Sequence, residues 1–438
     1  MRGHAGVAQR VTERTVPTTA TVPQDDLQPW LAALPAAPAV FVLHGHEASQ
    51  TPYIAKTANL RRRMQRLLTP AQPGSKRLNL AGRIAWLEYS LTGSVFEESL
   101  ILLRTHWRWY GAGAVKRLHL RAPALLRMSV ENRYPRVYVT SRLSLRALPA
   151  FFGPFASRVS AERFLEEALN LFLLRRCVPD LEPDPKFPGC VYSEMKMCLA
   201  PCYEGCTDER YTEEVQRVGE FLRTRGGSEL QMLKQRRESA SEALDFEEAA
   251  RLHQRYEKVQ AVSHLAAPLV HALDALDAVI VQPAAGAPDS AAVAVFLVRA
   301  GCIAGPEMFS VAGMRHPNEH SGSSSLFAHP TRVEAVPLDS AGVPASRQGL
   351  EEQLQQTLRR LEEQVTTPSA SEMRAAELSL LARWYYRPAD RRVGEIFFQN
   401  AEGRFPQARM LRGISRVFRG ASPDSEMAAA KAEGGTAE

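Results

Sequence analysis

The segment Cys198-Leu199-Ala200-Pro201-Cys202 closes a short stretch that holds most of the thiols in this chain. Of the 6 cysteines in the 438 residues, only Cys302 lies outside residues 177–206. Disulfide staples are usually spread along a chain, whereas thiols gathered in roughly thirty residues are typical of a metal or cluster site. The sequence therefore predicts a thiolate site formed by Cys177, Cys190, Cys198 and Cys202. Disulfides or buried free thiols are the alternatives.

The composition is that of a globular protein with two to four domains, since 45% of the 438 residues are hydrophobic. The net charge is +6 and arginine supplies most of the positive charge, which favours a polyanion as partner. The sequence contains no run of eighteen apolar residues, and its first 24 residues lack the apolar core of a signal peptide. We therefore expect a soluble, cytoplasmic protein that does not enter a membrane.

The pattern of apolar and turn-forming residues predicts an α+β multidomain protein. Residues 39–43 and 53–55 read as a β-hairpin and residues 137–140 as a further strand, while Gly153-Pro154 marks a turn. Helices are predicted at 58–68, 99–109 and 161–174, and a C-terminal group of three strands and two helices at 277–282, 292–298, 302–311, 350–365 and 372–386. The predicted boundaries are a disordered tail 1–26, a small α/β domain 30–112, a cysteine-rich region 130–215, a helical hairpin 216–262, a C-terminal α+β region 263–419 of unknown role and a second disordered tail 420–438.

The helical hairpin has an apolar stripe at helical spacing that includes Leu252 and Tyr256, and its second helix begins with a capping pattern at Asp245 and Glu248. Such a stripe is more often an internal core than a docking face. A two-helix hairpin, however, has too little interior to bury an apolar stripe by itself. We therefore expect a partner helix pair to cover it.

Lys56, Asn59 and Arg63 have the spacing of one helix face and follow directly after Tyr53 at the end of a strand. Phosphodiester hydrolysis needs an oriented water, a cation beside the phosphate and usually a metal held by a carboxylate, and Glu97 is a candidate for that carboxylate. Basic residues on a helix are usually only solvated, so this constellation alone is a weak indication of a nuclease.

Three motifs in order resemble the UvrC family of excision-repair endonuclease subunits. Residues 38–41 with 53–63 are similar to its GIY-YIG nuclease domain, and residues 152–155, 174–177 and 198–202 to its cysteine-rich region. The segment Ala243-Leu244-Asp245-Phe246-Glu247-Glu248-Ala249-Ala250-Arg251-Leu252 resembles the UVR motif that binds UvrB. The resemblance covers about residues 34–262. Motifs of the RNase H-like and helix-hairpin-helix domains of full-length UvrC proteins are not found in this sequence, so it most resembles the short Cho-type homologues that lack those domains.

The resemblance implies a role for each matching residue. Tyr53 corresponds to the tyrosine that acts on the attacking water, Lys56 and Arg63 to the cations beside the phosphate, and Glu97 to the ligand of Mg²⁺ or Mn²⁺, with Glu98 adjacent in the same loosely matching segment. The first-motif tyrosine is replaced by Phe41, and the motif glycines are alanines. The same fold could therefore serve a catalytically weakened adaptor that binds UvrB and DNA.

The family also implies cofactors and partners. The four cysteines would hold an iron–sulfur cluster of the 4Fe-4S type, with Zn²⁺ as the alternative, and Cys206 would be a bystander. UvrB would bind the UVR hairpin through Phe246, Leu252 and Tyr256. The expected activity is a single cut in damaged double-stranded DNA, on the 3′ side of the lesion.

Overall fold

The computed structural model describes residues 17–23, 26–47, 50–70, 78–178, 181–285, 291–312, 347–365, 370–400 and 402–420. Within these ranges the chain forms three four-stranded antiparallel sheets with helices packed against them. The predicted α+β class is confirmed. Among the described residues, none of the helices combines the length and the apolar character needed to cross a bilayer.

The first sheet has the strand order β1-β4-β2-β3. Its strands are β1 (Thr18–Thr21), β2 (Ala39–Gly45), β3 (Tyr53–Thr57) and β4 (Ile84–Leu91), and its helices are α1 (Leu27–Ala33), α2 (Leu60–Leu68) and α3 (Val95–Tyr110). Strand β2 is buried along nearly its whole length because helices cover both faces of the sheet. The predicted hairpin is therefore the centre of this domain, and β3 is an edge strand.

The N-terminal segment differs from its prediction as a disordered tail. Thr18–Thr21 pairs with β4, opposite Trp86 to Tyr89. The β-branched threonines suit an extended strand, and pairing with β4 satisfies the hydrogen-bonding groups at that edge of the sheet. Helix α2 also begins later than predicted, because the Asn59 side chain accepts a hydrogen bond from the Arg62 amide and so caps the helix just before Leu60.

The second sheet has the order β6-β5-β7-β8 and belongs to the middle of the chain. Its strands are β5 (Ala124–Met128), β6 (Val137–Thr140), β7 (Phe151–Phe155) and β8 (His271–Ala272), and the helices are α4 (Gly113–Arg117), α5 (Arg158–Leu169), α6 (Val191–Glu194), α7 (Asp208–Thr224), α8 (Gly227–Glu242) and α9 (Phe246–Ser263). The predicted turn at Gly153-Pro154 is wrong, since these residues lie inside β7. Gly153 permits this because a Cβ there would lie 2.8 Å from the Leu125 side chain.

The helical hairpin formed by α8 and α9 is not a separate unit. Leu233, Leu252 and Val259 are buried in the same apolar core as Phe164 and Phe221 of the middle region. The predicted boundary between residues 130–215 and 216–262 therefore cuts through one core. The apolar stripe of the hairpin is covered mainly by the protein itself, which supplies the interior that two isolated helices lack.

The third sheet has the order β11-β10-β9-β12. Its strands are β9 (Ala278–Pro283), β10 (Ala292–Arg299), β11 (Cys302–Ser310) and β12 (Glu395–Phe398), and its helices are α10 (Arg347–Gln364), α11 (Ser371–Tyr385) and α12 (Gln407–Arg419). The predicted three strands and two helices of this region are confirmed. Strand β12 and helix α12, which pack against β9, lay outside the prediction.

Helix α3 joins the first domain to the C-terminal region. The Phe96 ring lies 5.4 Å from that of Phe296 and 5.3 Å from that of Trp384, measured between ring centroids. About two turns further along, the Arg104 guanidinium donates to the Ile303 carbonyl at 2.6 Å and also to the Gly305 carbonyl. The helix is thus held between two sheets, and its rotation about its own axis is fixed.

Candidate functional site

The edge strand β3 and the start of α2 bring Tyr53 and Arg63 together. Tyr53 opens the strand opposite Leu43, and Arg63 lies one turn into the helix. Arg63 Nη2 donates to Tyr53 Oη at 3.0 Å. A guanidinium that donates to a phenol oxygen stabilises negative charge that develops on that oxygen. The phenol and the cation predicted from the sequence therefore form one hydrogen-bonded pair.

Lys56 lies on β3 rather than on the helix where the spacing placed it. Its Nζ is 2.7 Å from Glu98 Oε1, and about half of the Lys56 side chain is exposed. At that exposure the ion pair adds only about 0–1 kcal/mol to stability. The pair therefore positions Glu98 beside the basic residues more than it holds the fold together.

Lys56 and Arg63 line one open groove of about 610 Å³. Arg62 and Arg66 of α2 also contribute to it, and none of the described residues that line the groove is acidic. Adjacent guanidinium and ammonium groups with no neutralising carboxylate in the lining attract phosphate. The groove thus has the charge that a phosphodiester requires.

Glu97, the predicted metal ligand, lies away from this groove. Only 3% of it is exposed, and its Oε2 accepts a hydrogen bond from the Gly93 amide at 2.7 Å. A Cβ on Gly93 would lie 2.3 Å from the Pro283 carbonyl oxygen, so the C-terminal region closes over this carboxyl group. Burial raises the pKa of Glu97 to about 7. The cause is desolvation, because a buried carboxylate loses the solvation that stabilises its charge.

Successive residues of a helix are rotated by about 100°, so Glu97 and Glu98 face different directions. Ser94 caps α3 by accepting from the Glu97 amide at 3.1 Å, which fixes where the helix begins. Glu97 then shares the buried face with Phe96 and Leu100, whereas Glu98 faces Lys56. The sequence alone does not distinguish the two adjacent glutamates, because only the packing of α3 buries Glu97 and leaves Glu98 beside Lys56.

Phe41 lies beneath Tyr53 and is completely buried. The two ring centroids are 6.1 Å apart, and Phe41 belongs to the apolar core between the sheet and α2. Without a hydroxyl it contributes packing alone. The family pattern has a tyrosine at this position. In this chain Phe41 takes its place and only supports the Tyr53 ring.

A buried polar cluster on the α3 side of the first sheet was missed by sequence reasoning. The His44 ring stacks on Trp86 with centroids 3.5 Å apart, and His44 Nε2 lies 3.4 Å from Glu88 Oε2. Arg108 of α3 forms an ion pair with the same carboxylate. Burial lowers the pKa of His44. The cluster ties the C-terminal end of α3 to the sheet. In the sequence, the one feature that indicates it is His44, which directly follows the apolar run of β2.

The four predicted cysteine ligands face a common space. Burial raises the pKa of Cys198 to about 11, and charge on Cys177, Cys202 and Cys190 raises it further. Burial raises the pKa of Cys206, and charge on Cys202 raises it further, but Cys206 is absent from the charges that act on Cys198. Within the described residues no three cysteine, histidine or acidic side chains are close enough to hold a single metal ion.

Several N–H groups are directed at these sulfur atoms, among them the Ser193 amide at Cys190. The Ala200 amide donates to Cys198 Sγ at 3.3 Å, and Ala200 has the left-handed backbone angle φ +57°. The buried Arg175 guanidinium donates to Cys177 Sγ at 3.5 Å. Hydrogen bonds of this kind stabilise thiolates and tune the clusters they hold. The donor chemistry therefore suits a thiolate-bound metal centre, either an iron–sulfur cluster or zinc.

The predicted UvrB-binding residues of the hairpin have different environments. Phe246 is 66% exposed, and Leu244 beside it is 72% exposed and has a φ of +60°. Leu252 is only 8% exposed, and the half-buried Tyr256 packs on the same core. Leu252 is thus wrong as a docking residue, because the middle region already covers it. Leu244 and Phe246 form the exposed apolar tip of the hairpin.

Comparison with known proteins identifies relatives of the chain. Residues 124–221 match a family model described as UvrC/Cho excinuclease, middle domain. The UvrABC system protein C of Moorella thermoacetica is 29% identical over 240 residues, which are 54% of this chain and 38% of that protein. That of Symbiobacterium thermophilum is 28% identical over 322 residues, 71% of this chain and 49% of that protein. The chain thus spans about half the length, or less, of these relatives. No solved structure matches it.

The buried Glu97 predicts an unusual pH dependence of stability. The folded pKa of about 7 exceeds the usual 4.5, so between these values the folded chain binds more protons and its free energy of unfolding falls as pH rises. The glutamine in Glu97→Gln cannot ionise, so at pH 8 this variant should have a higher thermal midpoint than wild type. The corresponding gain in the free energy of unfolding is up to about 3 kcal/mol. The gain should be much smaller at pH 5. A midpoint difference that is equal at the two pH values would contradict this assignment.

Proposed function

This chain belongs to the UvrC family, and from that premise we propose that it is a metal-dependent endonuclease that cuts damaged double-stranded DNA in nucleotide excision repair. The observation that carries the proposal is the hydrogen bond of 3.0 Å between Arg63 and Tyr53 at the mouth of a basic groove. A phenol, a guanidinium, an ammonium and a carboxylate in one place supply what phosphodiester hydrolysis requires.

Tyr53 and Arg63 act on opposite partners in the reaction. Tyr53 Oη orients the attacking water and, as the phenolate, takes the water's proton while the water oxygen bonds to phosphorus and the leaving P–O bond breaks; the Arg63 guanidinium stabilises the phenolate and the charge on the phosphate. Lys56 lies in the same groove and neutralises further negative charge on the phosphate. Because both cations are held by neighbouring side chains before substrate arrives, little reorganisation is needed.

Glu98 is the residue we assign to the metal, in place of Glu97. Its carboxylate contacts the Lys56 ammonium at 2.7 Å and lies beside the groove. A metal cation that binds there would replace Lys56 as the positive partner of the carboxylate. Mg²⁺ or Mn²⁺ bound there would supply Lewis-acid stabilisation of the scissile phosphate. Glu97 remains a structural carboxyl under the C-terminal region.

Recruitment by UvrB and a cut on the 3′ side of the lesion complete the proposed role. The exposed tip formed by Leu244 and Phe246 supports the first, since an aromatic side chain that is 66% exposed is a good anchor for a partner. The side of the cut rests on the family resemblance alone.

A second candidate function is that of an adaptor that binds UvrB and DNA but cuts weakly. The observation in its favour is Phe41, which is completely buried and has no hydroxyl at the position of the first-motif tyrosine. Loss of a proton-transferring group slows general acid–base chemistry by about a hundredfold or more. The two candidates share the fold and the groove, so only an incision assay separates them.

We also propose that Cys177, Cys190, Cys198 and Cys202 hold a 4Fe-4S cluster. The charges of Cys177, Cys190 and Cys202 act on Cys198, and N–H groups donate to sulfur, which supports a thiolate-bound metal centre; the choice of a cluster rests on the family resemblance, and Zn²⁺ is the alternative. Cys202 lies in a short turn, and the Asp184 amide donates to its carbonyl at 2.9 Å. The cluster would order the long irregular segment between α5 and α7, a structural role.

Substitutions at the nuclease site should separate the two glutamates. Glu98→Gln should abolish incision of a lesion-containing duplex in the presence of UvrB and Mn²⁺, because the metal ligand is lost. Tyr53→Phe should slow incision by about a hundredfold or more. Glu97→Gln serves as the matched control and should cut at the wild-type rate.

Failure of the wild type would test the endonuclease assignment as a whole. If neither Mg²⁺ nor Mn²⁺ supports incision and the double variant Phe41→Tyr/Ala55→Gly does not restore it, the adaptor function takes its place.

The metal content of the protein tests the cluster. Anaerobically purified protein should be brown and contain about four iron and four sulfide per chain. Cys198→Ala should lose the iron and become less soluble, whereas Cys206→Ala, which lies at the next four-residue step, should retain it. Colourless protein with one zinc per chain would contradict the cluster.

UvrB binding should depend on the hairpin tip. Phe246→Ala should weaken binding by about 2 kcal/mol, roughly thirtyfold, because an exposed aromatic anchor is lost without a change in the core. Val159→Ala removes an apolar side chain that is 73% exposed on α5 and should leave the affinity unchanged. Calorimetric titration with purified UvrB measures both. An unaltered affinity of Phe246→Ala would remove the tip from the interface.

A further inference from the structure

A second basic groove lies between the middle region and the C-terminal region, away from the residues of the nuclease site. Its floor is formed by the ends of β6 and β7, and its walls are residues 119–124 and helix α11. The cavity measures about 720 Å³. An adjoining cavity of about 770 Å³ shares residues 119–122 and Ser141 with it and continues along α11 to Ser371. We refer to the two together as the interdomain groove.

The shape of the interdomain groove follows from the face that α11 turns toward it. Ala375, Ala376, Ser379 and Ala382 are small and recur at helical spacing, so the helix leaves open space beside residues 119–124. From Glu372 to Tyr386 the helix extends for about 21 Å. That length matches about six nucleotides of one DNA strand, at roughly 3.4 Å each. An elongated groove suits a polymer better than a small anion.

The lining is strongly positive. Arg121, Arg158 and Arg383 line the first cavity, and Lys116 and Arg142 line the second. All five are exposed, and of these only Arg158 has an ion-pair partner in the described structure, Glu162. Among the described lining residues Glu372 is the one acidic side chain. Four cations are thus available to contact phosphates at intervals along the groove.

The floor is rigid and partly apolar. Tyr386 Oη donates to the Pro154 carbonyl at 2.9 Å, which ties α11 to β7 across the boundary between the two regions. The Ser379 hydroxyl donates to the Arg121 carbonyl and ties the helix to the opposite wall. Both walls are therefore held in place before a ligand arrives, which lowers the ordering cost of binding.

From this charge, length and rigidity we propose that the interdomain groove binds the phosphodiester backbone of a DNA strand. This inference rests on DNA being the substrate, but not on cutting, because its readout is binding. The groove gives the chain a second contact with DNA that the nuclease site does not provide. The middle and C-terminal regions would thereby hold the strand as one surface.

The test uses the full chain without divalent metal and measures binding of a fluorescent 12-nucleotide single strand and of the matching duplex over a range of salt concentrations. The double variant Arg121→Gln/Arg383→Gln removes two groove cations that are exposed, so the fold should persist. Binding should weaken on the order of tenfold at 0.1 M salt, and the salt slope for the single strand should fall by about 1.4, or 0.7 per lost contact.

The matched control is Arg359→Gln/Arg409→Gln, which removes the same charge from exposed residues of α10 and α12 outside the groove. This control should bind like the wild type. A loss confined to the single strand would assign an unpaired strand to the groove, and an equal loss with both probes would assign duplex backbone; both outcomes support the proposal. Equal binding by the two double variants would overturn it.

Competition separates DNA from an acidic protein segment as the occupant. If poly-glutamate displaces the oligonucleotide from wild type and both double variants equally, the groove is not selective for phosphate and the proposal fails. Failure of the proposed endonuclease is seen separately. A wild type that binds DNA through the groove but does not cut retains this inference and loses the nuclease assignment.

Discussion

The packing of helix α3 between two sheets is the constraint on which the rest of this structure depends. Phe96 fits between Phe296 and Trp384, and Arg104 donates to main-chain carbonyls of β11. Rotation of the helix by one residue would expose Phe96 and bury a charged glutamate without a partner, at a cost of several kcal/mol. The sequence left the role of the C-terminal region open; in the structure this region positions the helix that carries Glu98, the proposed metal ligand.

This arrangement links the family resemblance to a definite geometry. Tyr53 and Lys56 of β3, Arg63 of α2 and Glu98 of α3 come together beside one basic groove. Glu97 lies buried under the C-terminal region. The middle region adds the cysteine centre and the second basic groove. Basic grooves are therefore lined by residues of all three regions, and the proposed DNA contacts would be distributed over them.

Local signals in the sequence predicted much of the fold. The apolar run at 39–43 gave the central strand, and the capping pattern at Asp245 gave the start of α9, where its side chain accepts from the Glu248 amide at 3.0 Å. Tertiary packing decided the rest. Leu252 reads as part of a docking face until the middle region is seen to cover it, and Glu97 cannot be told from Glu98 without the sheet that buries one of them.

The most direct test of this account is to locate Mn²⁺ by anomalous diffraction from crystals of the full chain soaked in the metal. The account predicts one peak within bonding distance of the Glu98 carboxylate, at about 2.0–2.6 Å as for other hard cations bound by oxygen, on the groove side of α3. Glu97 should remain buried against Gly93 in the same crystals. A peak at Glu97, or Mn²⁺ bound elsewhere with Glu98 still paired to Lys56, would contradict it.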